Sequence, residues 1–428
     1  MSIKSMIFSK VTATMLSERR LLKKRRHAQS IRAKKKARRT IMYFHQVDDP
    51  YSHLMIQVLP ELKRQHDVHI EPWLVSPTAV SDESSRQFDY FRMDAERLAA
   101  KAGLDFQDSG YQPDSESVKR VAAEFQQHID RGTFIGPAIE SSNRLWRGQA
   151  SEEQVPVNNP SRAIRYDRGD ARRAALGHYM GATCFYEGEW YWGLDRLHHL
   201  QSRLYQEDSQ PVNHIFKPAN VPGIHGVELE PPPVIDVFIS FRSTFSYIGL
   251  LRIKELADEW NAELRLKYVL PMAVRNVSSP RARFIQVLYD CAREARFHSI
   301  PFGRIADPAG KPMERGYSLL PWATAHNRCY EFCLSFLKNV WSQGVDAGSD
   351  KGLEKIVIEA GLDWREGRTQ VGNEQWRAEA EAHQQELLDL GLWGTPSFRL
   401  DDTLAWGQDR LWLLEDVLAK KRPSAETL

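Results

Sequence analysis

Residues 394–411 read GTPSFRLDDTLAWGQDRL, and residues 181–197 read GATCFYEGEWYWGLDRL. Both end in Trp-Gly-x-Asp-Arg-Leu, with Trp192 and Trp406 214 positions apart. A second pair lies upstream. Asp49-Pro50-Tyr51-Ser52-His53-Leu54 resembles Ser243-Thr244-Phe245-Ser246-Tyr247-Ile248 at an offset of 194. Between these anchors, Asp94 through Phe106 aligns with Asp290 through Phe302 at an offset of 196. Collinear matches whose offset drifts slowly in one direction are the mark of a duplication with small insertions.

Each half opens alike. Thr40-Ile41-Met42-Tyr43-Phe44-His45 and Val234-Ile235-Asp236-Val237-Phe238-Ile239-Ser240 are rich in β-branched and aromatic residues and read as buried strands. In the second half a short turn precedes a helical stripe of Ile248, Leu251, Ile253, Leu256 and Trp260. Leu264, Leu266 and Tyr268 then alternate with Arg265 and Lys267 as a strand. Strand, helix, strand at this spacing is a βαβ unit with a parallel pair. Helices are expected over 283–297, 322–341 and 352–360, then a strand pair and a closing helix over 409–420. A helical block inserted into a βαβ…ββα frame results.

Proline density in residues 206–233, including Pro231, Pro232 and Pro233, reads as an extended connector. The expected organisation is an arm over 1–40, a first domain over 41–205, the linker, a second domain over 234–422 and a tail over 423–428. The 428 residues suit two domains, and twelve tryptophans imply substantial cores. No run of eighteen apolar residues occurs, so no transmembrane helix is expected. Four cysteines cannot frame a chain this long and point to a reducing compartment, hence the cytoplasm.

The net charge of +2 conceals an asymmetry. Residues 1–40 hold fourteen Lys/Arg and one acidic residue, leaving −11 on the remainder. The arm reads either as a contact for nucleic acid or an anionic surface, as an organelle presequence, or as a solvated, partly helical tail. Apart from Phe8 it lacks aromatics to stack on bases, which weakens the nucleic-acid reading.

With these motifs in hand, the second half resembles the DsbA-type thioredoxin fold. More narrowly, it is similar to the branch holding 2-hydroxychromene-2-carboxylate isomerases and kappa-class glutathione transferases. The resemblance covers residues 234–422 and, more loosely, 41–205. It implies an α/β chain of two tandem thioredoxin-like domains, each with a helical insertion. The family's opening S-P-Y-S-Y-L corresponds to Ser243 through Ile248. Its closing G-V-P-T-F and W-G-Q-D-R-L correspond to Gly394 through Phe398 and Trp406 through Leu411.

Thioredoxin-fold redox enzymes place Cys-x-x-Cys at a helix N-terminus, where the dipole favours a thiolate. Ser243 and Ser246 stand there instead, so disulfide exchange at this position is lost while the anion-favouring helix end remains. The thiol implied by the resemblance is glutathione. On that basis Ser243 hydrogen-bonds the thiolate, and Thr395, before a cis Pro396, pairs with the cysteinyl part. Gln408 and Asp409 hold the γ-glutamyl end, and Phe245, Ser246 and Arg275 border a pocket for a small electrophilic substrate. The bland rivals are that Ser243 and Asp409 are only helix caps and that Trp406 is only packing.

Departures are informative. Thr244 replaces the family's proline. In the first half Asp49 replaces the key serine, Ala182 the proline and Leu194 the glutamine, so that half reads as a non-catalytic copy. Cys329 and Cys333 share a helix face and read as core; no Cys/His spacing argues for a metal site. The implied activity is glutathione-dependent isomerisation of an unsaturated 2-oxo acid. The alternatives are a glutathione transferase, a thioredoxin-fold oxidoreductase, or a non-catalytic binding protein. Because kappa-type enzymes are dimeric, the resemblance also implies that the two domains pair within the chain.

Overall fold

The computed structural model describes residues 3–77, 82–150, 164–217, 229–270 and 281–422. The chain divides into two compact units, Leu22–Pro218 and Met1–Leu21 with Ala219–Leu428. The N-terminal unit holds strands β1 (Thr40–Gln46), β2 (His69–Val75), β3 (Thr183–Tyr186) and β4 (Glu189–Trp192). The C-terminal unit holds β5 (Val234–Ile239), β6 (Glu263–Tyr268), β7 (Ser397–Leu400) and β8 (Thr403–Trp406).

The two sheets share one order, β2-β1-β3-β4 and β6-β5-β7-β8. In each, the first strand pairs parallel with the second and antiparallel with the third, and the last two form an antiparallel hairpin. A parallel neighbour requires a crossover, which α3 (Pro50–Gln65) and α9 (Thr244–Glu259) supply in the two units. The helical insertions run from α4 (Asp82–Ala102) through α5 (Ser115–Arg131), α6 (Ile135–Trp146) and α7 (Tyr166–Ala175) in the first. In the second they run from α10 (Arg281–Phe297) through α11 (Lys311–Tyr317), α12 (Leu320–Ala325), α13 (Cys329–Lys338), α14 (Asp350–Glu359) and α15 (Trp364–Gln370) to α16 (Trp376–Asp389). Helices α8 (Leu197–Asp208) and α17 (Leu411–Lys420) close the units, each after a short 3₁₀ turn.

The matched motifs fall on matched elements. Asp49 and Ser243 are the N-caps of α3 and α9, and Trp192 and Trp406 end β4 and β8. Two details differ from the sequence reading. The helix expected over 322–341 is broken between α12 and α13, where Asn327 adopts a left-handed φ of 55°, a conformation Asn tolerates better than most residues. The closing helix begins at Leu411 because Gln408–Arg410 forms a 3₁₀ turn.

The basic arm is folded rather than a solvated tail. In the C-terminal unit α1 (Ile3–Met15) accepts the Ile305 N–H on Thr12 Oγ1 at 3.3 Å, and Arg296 reaches the carbonyl of Leu16 at 3.0 Å. Most of α2 (Glu18–Lys34) belongs to the N-terminal unit, where Arg25 pairs with Glu189 at 2.7 Å. Arg32 there pairs with Glu187 at 2.6 Å and Glu207 at 2.9 Å. The expected linker starts within the last turn of α8, and residues 218–228 lie outside the described residues. No helix among the described residues is long and apolar enough to cross a membrane.

A trade in volume separates the units. A Cβ on Gly249 would lie 2.8 Å from Pro396 Cγ, so α9 can approach the Thr395–Pro396 turn only with glycine there. At the matched places the N-terminal unit carries buried Met55 and Ala182, the bulk moved from turn to helix. Gly249→Ala should therefore destabilise the protein by about 1–3 kcal/mol through overpacking, although alanine is the better helix former by about 1 kcal/mol. Thermal unfolding should show a lowered midpoint, and a midpoint at or above wild type would mean the turn yields.

Candidate functional site

In the C-terminal unit β5 delivers the chain to Ser243, whose hydroxyl serves two masters. Its oxygen accepts the Ser246 N–H at 3.1 Å, capping α9, and its proton is donated to the Thr395 carbonyl at 2.9 Å. The Thr395–Pro396 peptide is cis. Tyr317 braces the end of β5, its hydroxyl accepting the Phe241 N–H at 3.3 Å and donating to the Val269 carbonyl just beyond β6 at 2.9 Å, while Trp341 Nε1 donates to the Phe241 carbonyl at 3.2 Å. The opening of α9 is thus held from several sides. Its first-turn N–H groups and dipole make this end attractive to an anion.

The neighbours of Ser243 are placed unequally. Ser246 is fully buried, its hydroxyl oxygen accepting the Ser240 N–H at 3.2 Å. Phe245 is half-buried and packs against Ile248, Cys291 and Ala295. Thr244 is buried, and its hydroxyl oxygen has no protein partner among the described residues. Arg275 lies outside the described residues.

The second wall is the turn after β8. Trp406 packs against Trp393 with ring centroids 4.8 Å apart. Gln408 is buried. Its main-chain carbonyl accepts Arg252 Nη1 at 2.8 Å, and its side-chain oxygen accepts the same nitrogen. Its amide nitrogen donates to Glu294 at 2.8 Å and to Asp409. Asp409 is half-buried and lies within the 3₁₀ turn, one residue before Arg410, which is the N-cap position of α17. Arg252 and Glu294 escaped the sequence reading. The available signal was a charge interrupting the apolar stripe of α9, where Arg252 is buried and its neighbour Leu251 only partly so.

At the equivalent point of the N-terminal unit, Asp49 caps α3, accepting from Tyr51 N–H at 3.1 Å and from the Ser52 hydroxyl at 2.8 Å. Ser52 Oγ in turn accepts the N–H of Ala182 at 2.8 Å, and Ala182 has a left-handed φ of 49°. Burial pushes the Asp49 carboxyl up to about 7, with the Ser52 hydrogen bond pulling it back. Burial likewise pushes Asp48 up to about 6. The four cysteines are free; Cys184, Cys291 and Cys333 are buried. Cys329 is half-buried, and the hydrogen bond from Cys333 holds its thiol below the usual range.

Residues 234–419 match the DsbA-like thioredoxin domain. The chain is similar to the 2-hydroxychromene-2-carboxylate isomerase of Pseudomonas putida, 23% identical over 202 residues, or 44% of this chain and 95% of that one. The enzyme of the same name from Pseudomonas sp. strain C18 is 24% identical over 195 residues, covering 43% and 90%. A solved structure of a 2-hydroxychromene-2-carboxylate isomerase is 20% identical, covers 44% of this chain and 95% of that one, and gives a TM-score of 0.39.

The raised Asp49 pKa carries a pH signature. An acid raised from 3.8 to about 7 keeps its proton in the folded state over an interval where the unfolded chain has lost it. Stability should therefore fall as pH rises through that window, with the full cost present above it. Asp49→Asn should flatten the decline, leaving the smaller contribution of Asp48. Denaturant melts at about pH 5 and about pH 8 check this, and an unchanged difference between them would count against the assignment.

Proposed function

We propose that the C-terminal unit is a glutathione-dependent isomerase acting on an unsaturated 2-oxo acid, and that the N-terminal unit is a duplicated, non-catalytic copy. The observation that carries the first part is Ser243. It caps α9 where thioredoxin-fold redox enzymes hold their nucleophilic cysteine, and its hydroxyl faces the cis Thr395–Pro396 turn. Similarity to the isomerases supports the reaction class. Shared strand order and matched cap and turn positions support the duplication. Four free cysteines support a cytoplasmic location.

The residues suit glutathione. An anion-favouring helix end, a capping hydroxyl and the buried, unpartnered Thr244 hydroxyl lie side by side. Glutathione bound there supplies a thiolate that adds reversibly to the double bond, which permits rotation before elimination. Ser243 redirects its proton from the Thr395 carbonyl to the thiolate, a stronger bond because the acceptor is charged. The backbone of Thr395 aligns the cysteinyl segment, and Asp409 receives the γ-glutamyl ammonium. Phe245 forms part of an apolar wall beside the helix end. The protein's contribution is thus thiolate stabilisation and positioning.

In the N-terminal unit the capping carboxyl of Asp49 already occupies the helix end and accepts a first-turn N–H. The turn carries Ala182 and Leu194 in place of Pro396 and Gln408. This copy lacks the features on which the reading depends.

Ser243→Ala tests the assignment. A hydrogen bond to a charged group is worth about 1.5–3 kcal/mol, so the thiol pKa of bound glutathione should rise by about one to two units. Isomerase activity near neutrality should fall roughly ten- to a hundredfold, recovering partly at higher pH. Ultraviolet titration of the thiolate in the complex reads the shift. An unshifted pKa would leave Ser243 as a helix cap alone, its loss costing about 0.5–2 kcal/mol of stability.

A further inference from the structure

The two units treat one interior position in opposite ways. In the C-terminal unit Arg252, Glu294 and Gln408 meet in a buried polar cluster, contributed by α9, α10 and the turn after β8. Gln408 has a single consistent orientation. Its side-chain oxygen must face the guanidinium, which can only donate, and its amide nitrogen must face the carboxylates of Glu294 and Asp409. Both amide protons are therefore committed, and the amide has none left to donate to a ligand. What it does is hold the Asp409 carboxylate.

The N-terminal unit shows what the fold itself requires. Val58 stands as far from Asp49 as Arg252 does from Ser243, Leu98 matches Glu294 at the offset of the α4 and α10 repeat, and Leu194 matches Gln408. Val58, Leu98 and Leu194 are all buried, at 3%, 1% and 2% exposure. The same frame thus buries three apolar side chains at the positions where the C-terminal unit keeps two charged ones and an amide. Buried ionic clusters can often be replaced by apolar side chains at little or no cost in stability, so packing alone gives no reason to retain this one.

We infer that Arg252 and Glu294, acting through Gln408, are positioning residues that orient Asp409 toward the γ-glutamyl end of glutathione. This rests on the glutathione reading above. It also divides the roles within the turn: Asp409 is the contact, and Gln408 is its support. Arg252 is anchored on the same helix that Ser243 caps, so a single element sets both ends of the site, the thiolate end through its first turn and the glutamyl end through Arg252.

The test transplants the apolar trio into the full-length chain as Arg252→Val, Glu294→Leu and Gln408→Leu together. Calorimetry with reduced glutathione, thermal unfolding and thiolate titration are run on wild type and variant. The thermal midpoint should hold or rise. Affinity should fall about ten- to a hundredfold, the equivalent of losing one bond to a charged group, while the pKa of the bound thiol stays at its wild-type value. Arg252→Lys alone, which keeps a donor for Gln408, should retain most of the wild-type affinity. A folded triple variant that binds as tightly as wild type overturns the inference. So does a triple variant that no longer folds, because the cluster would then serve the fold. Absence of binding by the wild type is a different result, and it removes the glutathione reading itself.

Discussion

The hydrogen bond from Ser243 to the Thr395 carbonyl joins the start of α9 to a turn formed 152 positions later in the chain. The rest of the C-terminal unit is arranged so that this contact can form. Gly249 lets the helix come within reach of Pro396, and Tyr317 and Trp341 fix Phe241 at the strand end from which the helix departs. Antiparallel pairing of β5 with β7 sets the two segments side by side. The N-terminal unit makes the corresponding tie with its polarity reversed: the Ser52 hydroxyl accepts the N–H of Ala182. A link between helix start and closing turn is therefore common to both frames, while the chemistry of the link differs.

That difference governs what each helix end can do. Ser243 is neutral and has one proton to redirect, so the positive end of α9 is available to an incoming anion. Asp49 brings its own carboxyl, buried and raised in pKa, and spends it on capping α3. The three apolar side chains of the N-terminal unit and the polar trio at the matched positions of the C-terminal one follow the same division. One helix end presents a hydroxyl that can redirect its proton, and the other a carboxyl already used as a cap.

Much of this was legible in the sequence because it depends on local pattern. Alternating and β-branched runs mark β1, β5 and β6, and the Trp-Gly-x-Asp-Arg-Leu repeats mark the ends of both sheets. The paired caps at Asp49 and Ser243 could be read from a strand ending beside a polar residue. What the sequence hid depends on contacts between distant segments. Arg252 looks like a surface charge until Gln408 is brought against it. The break at Asn327 interrupts a run that is apolar enough to continue as one helix. The arm reads as a charge run, because the acidic side chains that receive Arg25 and Arg32 lie more than 150 positions away.

Counting glutathione molecules on the full-length chain tests the central claim most directly. Calorimetric titration should give one equivalent per chain, held by the unit whose helix end carries Ser243. Two equivalents would mean that Asp49 does not close the N-terminal site, and none would mean that Ser243 and the cis-proline turn do not make a thiolate site.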